Sequence, residues 1–259
     1  MILSRRISLD SVELDSLDER IIISVIEEDP PDLGIRTVEM YGGIGSRVTN
    51  RHISKKKITV KFLLKVRKGD FSTRESILNS INKWARGSVL KSTSRPNKQI
   101  KVECTQTPKI SDPRNWTSEY SMTFEAFAKP YWEDTTATTK TLAQDDSGTD
   151  TITMPGSAET VGEATIQNKS GSTLDTLSLT VNGYEMEFSD LGLANNGYLV
   201  IDHIEAGGIY VKRARIGQTS VLDKLTGADE FILKPGTNAI SYEAGGDVIV
   251  TVSAKGRYV

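Results

Sequence analysis

Close carboxylate pairs, two histidines, one cysteine and a cluster of glycines are the residues of this 259-residue chain that could carry out chemistry. Asp145-Asp146 and Glu185/Glu187 could supply an acid and a base. Glycoside cleavage needs two such groups about 5–10 Å apart in a cleft. The first pair stands in a stretch rich in Thr, Ser, Ala and Asp, the composition of an exposed segment. His52 and His203 have no serine or cysteine beside them in a nucleophile signature, so each reads as a surface or strand residue. Cys104 is the only cysteine, which excludes an intramolecular disulfide and a cysteine-based metal knuckle. Gly42-Gly43-Ile44-Gly45 lacks the glycine spacing and the following Lys-Ser/Thr of a phosphate loop. The sequence therefore predicts no catalytic residues, no cofactor and no metal.

Binding remains. Arg47, Arg51, Lys55, Lys56, Lys57, Lys61, Lys65, Arg67 and Lys68 make a dense basic stretch. It has no interleaved aromatics, so it does not read as a nucleic-acid reader. Lys61, Lys65 and Arg67 alternate along one strand, and the set Lys55, Lys56, Lys57, Lys61, Lys65 and Arg67 is the candidate interface, facing an acidic neighbour across a subunit contact. Tyr184, Tyr198, Tyr210 and Tyr242 could stack on sugar rings, which gives the alternative reading of a carbohydrate-binding β-sandwich module. Packing is the commoner role of tyrosine on a strand.

These residues must be held by strands. Arg20–Ile26 is a β-branched run ended by Asp29-Pro30-Pro31-Asp32, because proline cannot donate to a ladder. From Lys57 to Arg67, Ile58, Val60, Phe62, Leu64 and Val66 alternate with mostly polar residues, the pattern of a half-buried strand. Glu119–Ala128 alternates in the same way, and Gln99–Cys104 is a further strand candidate. One helix is signalled by Ser72-Thr73-Arg74-Glu75 as a capping box, by Ile77, Leu78, Ile81, Trp84 and Ala85 as one apolar stripe, and by Gly87 as a stop. It should pack on the Ile58–Val66 face, with Trp84 in the core.

Composition changes near residue 134. All three tryptophans precede it, and 15 of the 21 glycines follow it. Residues 1–133 carry 23 Lys/Arg against 17 Asp/Glu, and residues 134–259 carry 9 against 17, so the halves differ in sign at +6 and −8. The expected division is a first domain over 1–133, a linker or exchanged strand over 134–150, and a second domain over 151–259. In the second domain short strands recur at Gly162–Asn168, Thr176–Val181, Tyr184–Phe188, Tyr198–Asp202, Gly208–Arg213, Thr237–Glu243 and Asp247–Ser253. Turns are expected at Asn182-Gly183, Leu225-Thr226-Gly227, Pro235-Gly236 and Gly245-Gly246, the first a two-residue hairpin signal. Such spacing predicts a β-sandwich or jelly roll. No run of about 18 apolar residues is present, so no membrane helix is expected, and the N-terminus lacks a secretory signal.

Three segments, in order, resemble distal tail proteins of long-tailed phages. Tyr120-Ser121-Met122-Thr123-Phe124-Glu125-Ala126-Phe127-Ala128-Lys129-Pro130-Tyr131-Trp132 is similar to the strand that closes their first domain. Phe231-Ile232-Leu233-Lys234-Pro235-Gly236-Thr237-Asn238-Ala239-Ile240 resembles the turn and strand Leu-x-Pro-Gly-x-Asn-x-Ile of their second. Val248–Ser253 with Lys255-Gly256-Arg257-Tyr258-Val259 resembles their last strand and tail, although Ser253-Ala254-Lys255-Gly256 departs from it. The resemblance implies a mainly β protein with an N-terminal β-sandwich or split-barrel domain bearing one α-helix and a C-terminal galectin-like β-sandwich. It implies a structural, non-enzymatic part of the virion, made in the cytoplasm of the bacterial host. There the first domain forms a ring, typically a homo-hexamer, at the distal end of a non-contractile tail. DNA passes through the ring without specific binding. The implied partners are the tail tube protein, the tape-measure protein, the tail-associated tip protein and a baseplate or receptor-binding protein, with no membrane contact.

Overall fold

A computed structural model gives the fold and describes residues 5–30, 32–39, 46–108, 117–127, 129–206, 209–228 and 231–259. The chain divides into two compact units, Met1–Trp132 with Val259, and Glu133–Tyr258. The first unit holds β1 (Ile7–Leu9), β2 (Val12–Glu13), β3 (Ile21–Glu28), β4 (Asp32–Glu39), β5 (Ser46–Lys65), α1 (Phe71–Trp84), β6 (Val89–Ser92), β7 (Lys98–Lys101), β8 (Glu103–Gln106) and β9 (Thr117–Ala126). β10 (Trp132–Asp134) begins at the boundary. The second unit continues with β11 (Thr138–Thr141), β12 (Asp145–Met154), β13 (Thr160–Val161), β14 (Glu163–Asn168), β15 (Leu177–Val181), β16 (Tyr184–Phe188), β17 (Tyr198–Ala206) and β18 (Ile209–Ile216). It closes with β19 (Thr219–Ser220), β20 (Leu225–Gly227), β21 (Ile232–Leu233), β22 (Gly236–Ala254) and β23 (Arg257–Tyr258). The protein is thus mainly β, as the sequence predicts, with one α-helix among the described residues.

In the first unit one sheet runs β3-β5-β9-β8 and another β2-β1-β6-β7. The alternation of β5 and β9 does what it predicts: Ile58, Val60, Phe62, Leu64, Tyr120, Met122, Phe124 and Ala126 are all buried. Ile77, Leu78, Ile81 and Trp84 of α1 are buried too, and Trp84 meets Phe124 edge-on at 6.1 Å. Burial of this apolar surface, at about 25 cal/mol per Å², is what holds the layers together. The Trp84 indole N–H donates to the Val12 carbonyl at 2.8 Å, so its polar edge is satisfied inside the core.

The helix starts earlier than the capping box suggested. Asp70 is the cap: its Oδ1 accepts the Thr73 N–H at 3.1 Å and the Ser72 hydroxyl at 3.2 Å. A carboxylate at this end also faces the positive pole of the helix, which the Ser72 hydroxyl cannot exploit. Asp70→Ala should speed amide exchange at Thr73 and in the first turn of α1, whereas Asp70→Asn should leave it close to the parent rate. Gly87 follows the helix but serves a close approach, because a Cβ there would lie 2.9 Å from the Leu9 Cβ.

Three other expectations change. Gln99–Cys104 is two strands in different sheets, because buried Val102 interrupts the run and its N–H turns to the Ser88 carbonyl at 2.8 Å. β5 is longer than Lys57–Arg67 and pairs along residues 46–55 with β4, forming a two-stranded hairpin that extends past the β9 pairing. The Tyr41–Gly45 loop lies outside the described residues. Residues 134–150, expected as a linker or an exchanged strand, include β11 and the start of β12, which both pair antiparallel with β22.

The second unit is a sandwich around one core, to which Ile152, Ile166, Leu179, Met186, Leu199, Ile201, Ile240, Tyr242 and Val250 contribute. The Gly245-Gly246 step is a bend and not a turn, so Thr237–Glu243 and Asp247–Ser253 are parts of one strand, β22. Its first half pairs with β12 and β15, and its second half with β14 and β11. Side chains are excluded at the bend, since a Cβ would come within 2.8 Å of Thr176 Oγ1 at Gly245 and 2.7 Å of Ser170 Cβ at Gly246. Asn182-Gly183 forms the expected hairpin turn, with φ of 53° and 84°. Leu225-Thr226-Gly227 is a strand on β16 and not a turn.

Two fully buried asparagines knit the loops. Asn238 Oδ1 accepts the Lys234 N–H at 2.7 Å and the Asn182 amide at 2.8 Å, while its Nδ2 donates to the Lys234 and Gly236 carbonyls at 2.8 and 2.9 Å. This is the physical content of the Pro-Gly-x-Asn motif: one amide side chain closes the Pro235-Gly236 turn and ties it to the β15–β16 hairpin. Asn168 does the same for Ser170, Ser172 and Leu193. At the end of the chain, Arg257 donates to Glu133 at 3.1 Å and to the Glu159 carbonyl at 3.4 Å, and the Tyr258 hydroxyl reaches Asp134 at 3.2 Å. That latch accounts for the Arg-Tyr tail.

Candidate interface surfaces

Among the described residues no three His, Cys, Asp or Glu side chains are grouped to hold a metal ion, and no helix is long and apolar enough to cross a membrane. The carboxylate pairs lie on exposed strands. Glu185 accepts the Ser178 hydroxyl at 2.7 Å, and Asp145 Oδ1 accepts the Asp146 N–H at 2.9 Å. Burial pushes the Cys104 thiol up, away from the thiolate a nucleophile needs.

The candidate basic residues sit where the alternation of β5 puts them, and four of the six meet carboxylates of the same chain. Lys61 pairs with Glu27 at 2.8 Å, Lys55 with Glu125 at 3.4 Å, Lys56 with Glu28 at 3.7 Å and Lys57 with Asp29 at 3.8 Å. The acids come from β3, the residue after it and β9, which flank β5 on either side. Lys65 and Arg67 are exposed and hold no ion pair among the described residues. Exposed pairs of this kind contribute little to stability, so the ladder mainly cancels charge on the sheet face. The side chains of Arg47, Arg51 and His52 lie outside what the structure describes.

Lys56 differs from the others. It continues the inward parity of Ile58 and Val60 and is 3% exposed. Glu28 is its partner and also accepts the Arg95 guanidinium at 3.0 Å and the Trp132 indole N–H at 3.1 Å. Arg95 lies over the Trp132 ring at 5.9 Å. Burial pushes the Lys56 ammonium down and nearby Arg95 adds to this, with Glu28 opposing. One carboxylate therefore anchors two cations and the fully buried Trp132, the last residue of the first unit.

In the second unit the sequence missed one cluster. β17 and β18 pair Val200 with Arg215, Asp202 with Arg213 and Ile204 with Val211 across their outer face. Asp202 takes Arg213 in a two-point contact, both at 2.8 Å, and Arg215 at 3.1 Å. Burial would raise the Asp202 carboxyl, but the two guanidinium groups outweigh it and hold it low. Tyr198, Ile204 and Val211 on the same face are 50%, 41% and 44% exposed. The only signal for this in the sequence is Arg213 and Arg215 at strand spacing; their partner on β17 depends on the hairpin register. Against the expectation of packing, Tyr184 is also exposed, at 60%, whereas Tyr242 is buried and donates to the Ala143 carbonyl at 2.9 Å. The Tyr210 side chain lies outside the description.

His203 faces inward on β17, directly opposite Lys212. Burial pushes its pKa down and Lys212 pushes the same way, against Asp202 and the Gly162 backbone. A histidine whose folded pKa is depressed gives stability that is fully present above the unfolded value of about 6.5 and is lost as pH falls toward the folded value. Amide exchange across β17 and β18, corrected for its intrinsic pH dependence, should therefore quicken between pH 7 and 5. His203→Gln should flatten that profile.

No family model matches the chain, and no curated protein matches it in sequence. In three dimensions the chain is similar to SPP1 Dit (gp 19.1), described as a paradigm of the hub adsorption apparatus in phages that infect Gram-positive bacteria. The identity is 12%, the TM-score 0.70, and the match covers 97% of this chain and 98% of that one. Two structures of the phage p2 baseplate in its activated conformation, with Sr and with Ca, match at a TM-score of 0.44, with 10% and 11% identity over 97% of both chains. The resemblance drawn from the residues thus holds for the fold, which is that of the SPP1 hub protein along nearly the whole chain.

Proposed function

We propose that this chain is a structural component of a long-tailed phage or prophage tail, assembling as a ring, a homo-hexamer by the resemblance, at the distal end of the tail tube. In that place it joins the tube to the tip and host-recognition proteins. The observation that carries the reading is the fold shared with SPP1 Dit over 97% of the chain and 98% of that protein. The first unit, close to residues 1–133, forms the ring, and the second receives baseplate or receptor-binding proteins. Assembly is head-to-tail: one patch meets a different patch on the next copy until the rotation closes. The hairpin of β4 and β5 supports this, because a two-stranded ribbon is marginal in water alone and gains stability against a neighbour. Lys65 and Arg67, exposed and without an ion pair among the described residues, have charge to offer such a neighbour. The self-cancelling ladder of Lys55, Lys57 and Lys61 suits a surface along which DNA passes without being held. Tube, tape-measure and tip proteins are the partners, and no chemistry is assigned.

Light scattering of the full chain at high concentration, alone and with its tail tube protein, tests the reading. A closed oligomer of about six copies in either sample supports it. A strict monomer in both, with no complex formed, overturns it.

A second reading has one observation in its favour: Tyr184 and Tyr198 expose their rings on strands of the second unit. A glycan-binding module would use such rings for stacking. Titration of the full chain with host wall polysaccharide decides, and absence of binding removes this reading.

A further inference from the structure

The second unit carries two charged patches of opposite sign toward opposite ends of its ten-stranded sheet. The outer face of β17 and β18 holds Arg213 and Arg215 against the single carboxylate Asp202, flanked by exposed Ile204, Val211 and Tyr198. It is a local excess of positive charge in a half of the chain whose net charge is −8, with 9 Lys/Arg against 17 Asp/Glu. Toward the other end of the sheet, β16, β15 and β22 bring Glu187, Ser178 and Glu243 into one row, with Glu185 beside them. These residues border a groove of about 550 Å³. Glu185, Glu187 and Glu243 are exposed and hold no ion pair among the described residues. One face offers arginines and apolar anchors, the composition of interface hot spots. The other offers carboxylates without cations around a depression.

We propose that the β17–β18 face of one copy docks on the Glu185–Glu187–Glu243 groove of a second copy. Charge complementarity selects this occupant: the arginines meet carboxylates that no cation among the described residues neutralises, while Tyr198, Ile204 and Val211 lose water at the seam. Two different patches make a heterologous contact, which propagates from copy to copy and closes where the rotation allows. Only that closure rests on the ring reading; the contact itself does not.

The test is sedimentation velocity on the full chain at low and high salt, with electron microscopy of the same samples. Two double reversals are made, Arg213→Glu with Arg215→Glu, and Glu187→Arg with Glu243→Arg. The second lies on exposed strand positions away from Asp202, so it stays informative if the first loosens the hairpin. Self-association of the parent should weaken with salt, and each reversal should weaken it about tenfold or more. An equimolar mixture of the two variants should regain association, because the altered surface of one matches the altered surface of the other, and their native surfaces match as well. Association that ignores both reversals, or a mixture that fails to regain it, overturns the proposal. Rings that persist unchanged in both variants remove the docking contact and leave the ring reading standing. Salt-sensitive association rescued by mixing, but seen as open chains, upholds the contact and removes the ring.

Discussion

Replacing Glu28 by leucine should destabilise the first unit by about 3 kcal/mol, because it strands charge in the core. Lys56 is 3% exposed and pairs with Glu28, and Arg95 and the Trp132 indole use the same carboxylate. Removing one member of a buried pair costs about 3–5 kcal/mol, since the remaining charge loses both water and its counterion. The lower end applies because Arg95 is one-third exposed and can turn to solvent. The cost should fall mainly on Lys56. Lys56→Met added to Glu28→Leu should therefore recover a large part of the loss, because an apolar pair of similar volume needs no counterion. Urea unfolding followed by tryptophan fluorescence reads both, with Trp132 reporting on its own cluster. If the double variant is as weak as the single, the cluster is held by something other than its buried charge.

Asn238→Leu should cost the second unit a similar amount, about 3–5 kcal/mol, as several buried groups are left without partners at about 1–3 kcal/mol each. The Lys234 N–H, the Asn182 amide and the carbonyls of Lys234 and Gly236 all lose their partner at once. Leucine matches the volume, so the loss is polar and not a cavity. Thermal unfolding of the full chain should show the second transition lowered and the first unmoved. Asn238→Ala should be at least as damaging, since it adds a void to the same losses. A change below about 1 kcal/mol would mean that water replaces the side chain.

What the sequence made legible was whatever one apolar face specifies. β5, β9 and α1 each bury one stripe, so their periodicity survives in Ile58–Val66, Tyr120–Ala126 and Ile77–Trp84. Asn182-Gly183 was readable because a two-residue turn with both φ positive admits few residues. β11 and β12 could be read only as a linker or an exchanged strand, because their residues up to Thr151 are largely exposed on both faces, and only Ile152 and Met154 near the end of β12 are buried. A strand with two wet faces has no alternation to read. Gly245-Gly246 carried a turn signature, but packing against Thr176 and Ser170 requires the glycines, and the strand runs on. The basic stretch could be placed on β5 from sequence. Its neutralisation could not, because Glu27, Glu28, Asp29 and Glu125 are brought to it by register across β3 and β9. The Asp202–Arg213–Arg215 cluster and the acidic groove were invisible for the same reason, since each forms only when its strands pair in one particular register.

The central claim is a place in a particle: the end of a tail tube. Electron microscopy of tails carrying this protein with a gold label on the second unit tests it most directly. The account predicts label confined to the distal tip, arranged around the tube axis as a ring of equivalent copies. Label along the tube, at the head-proximal end, or absent from purified particles would contradict it.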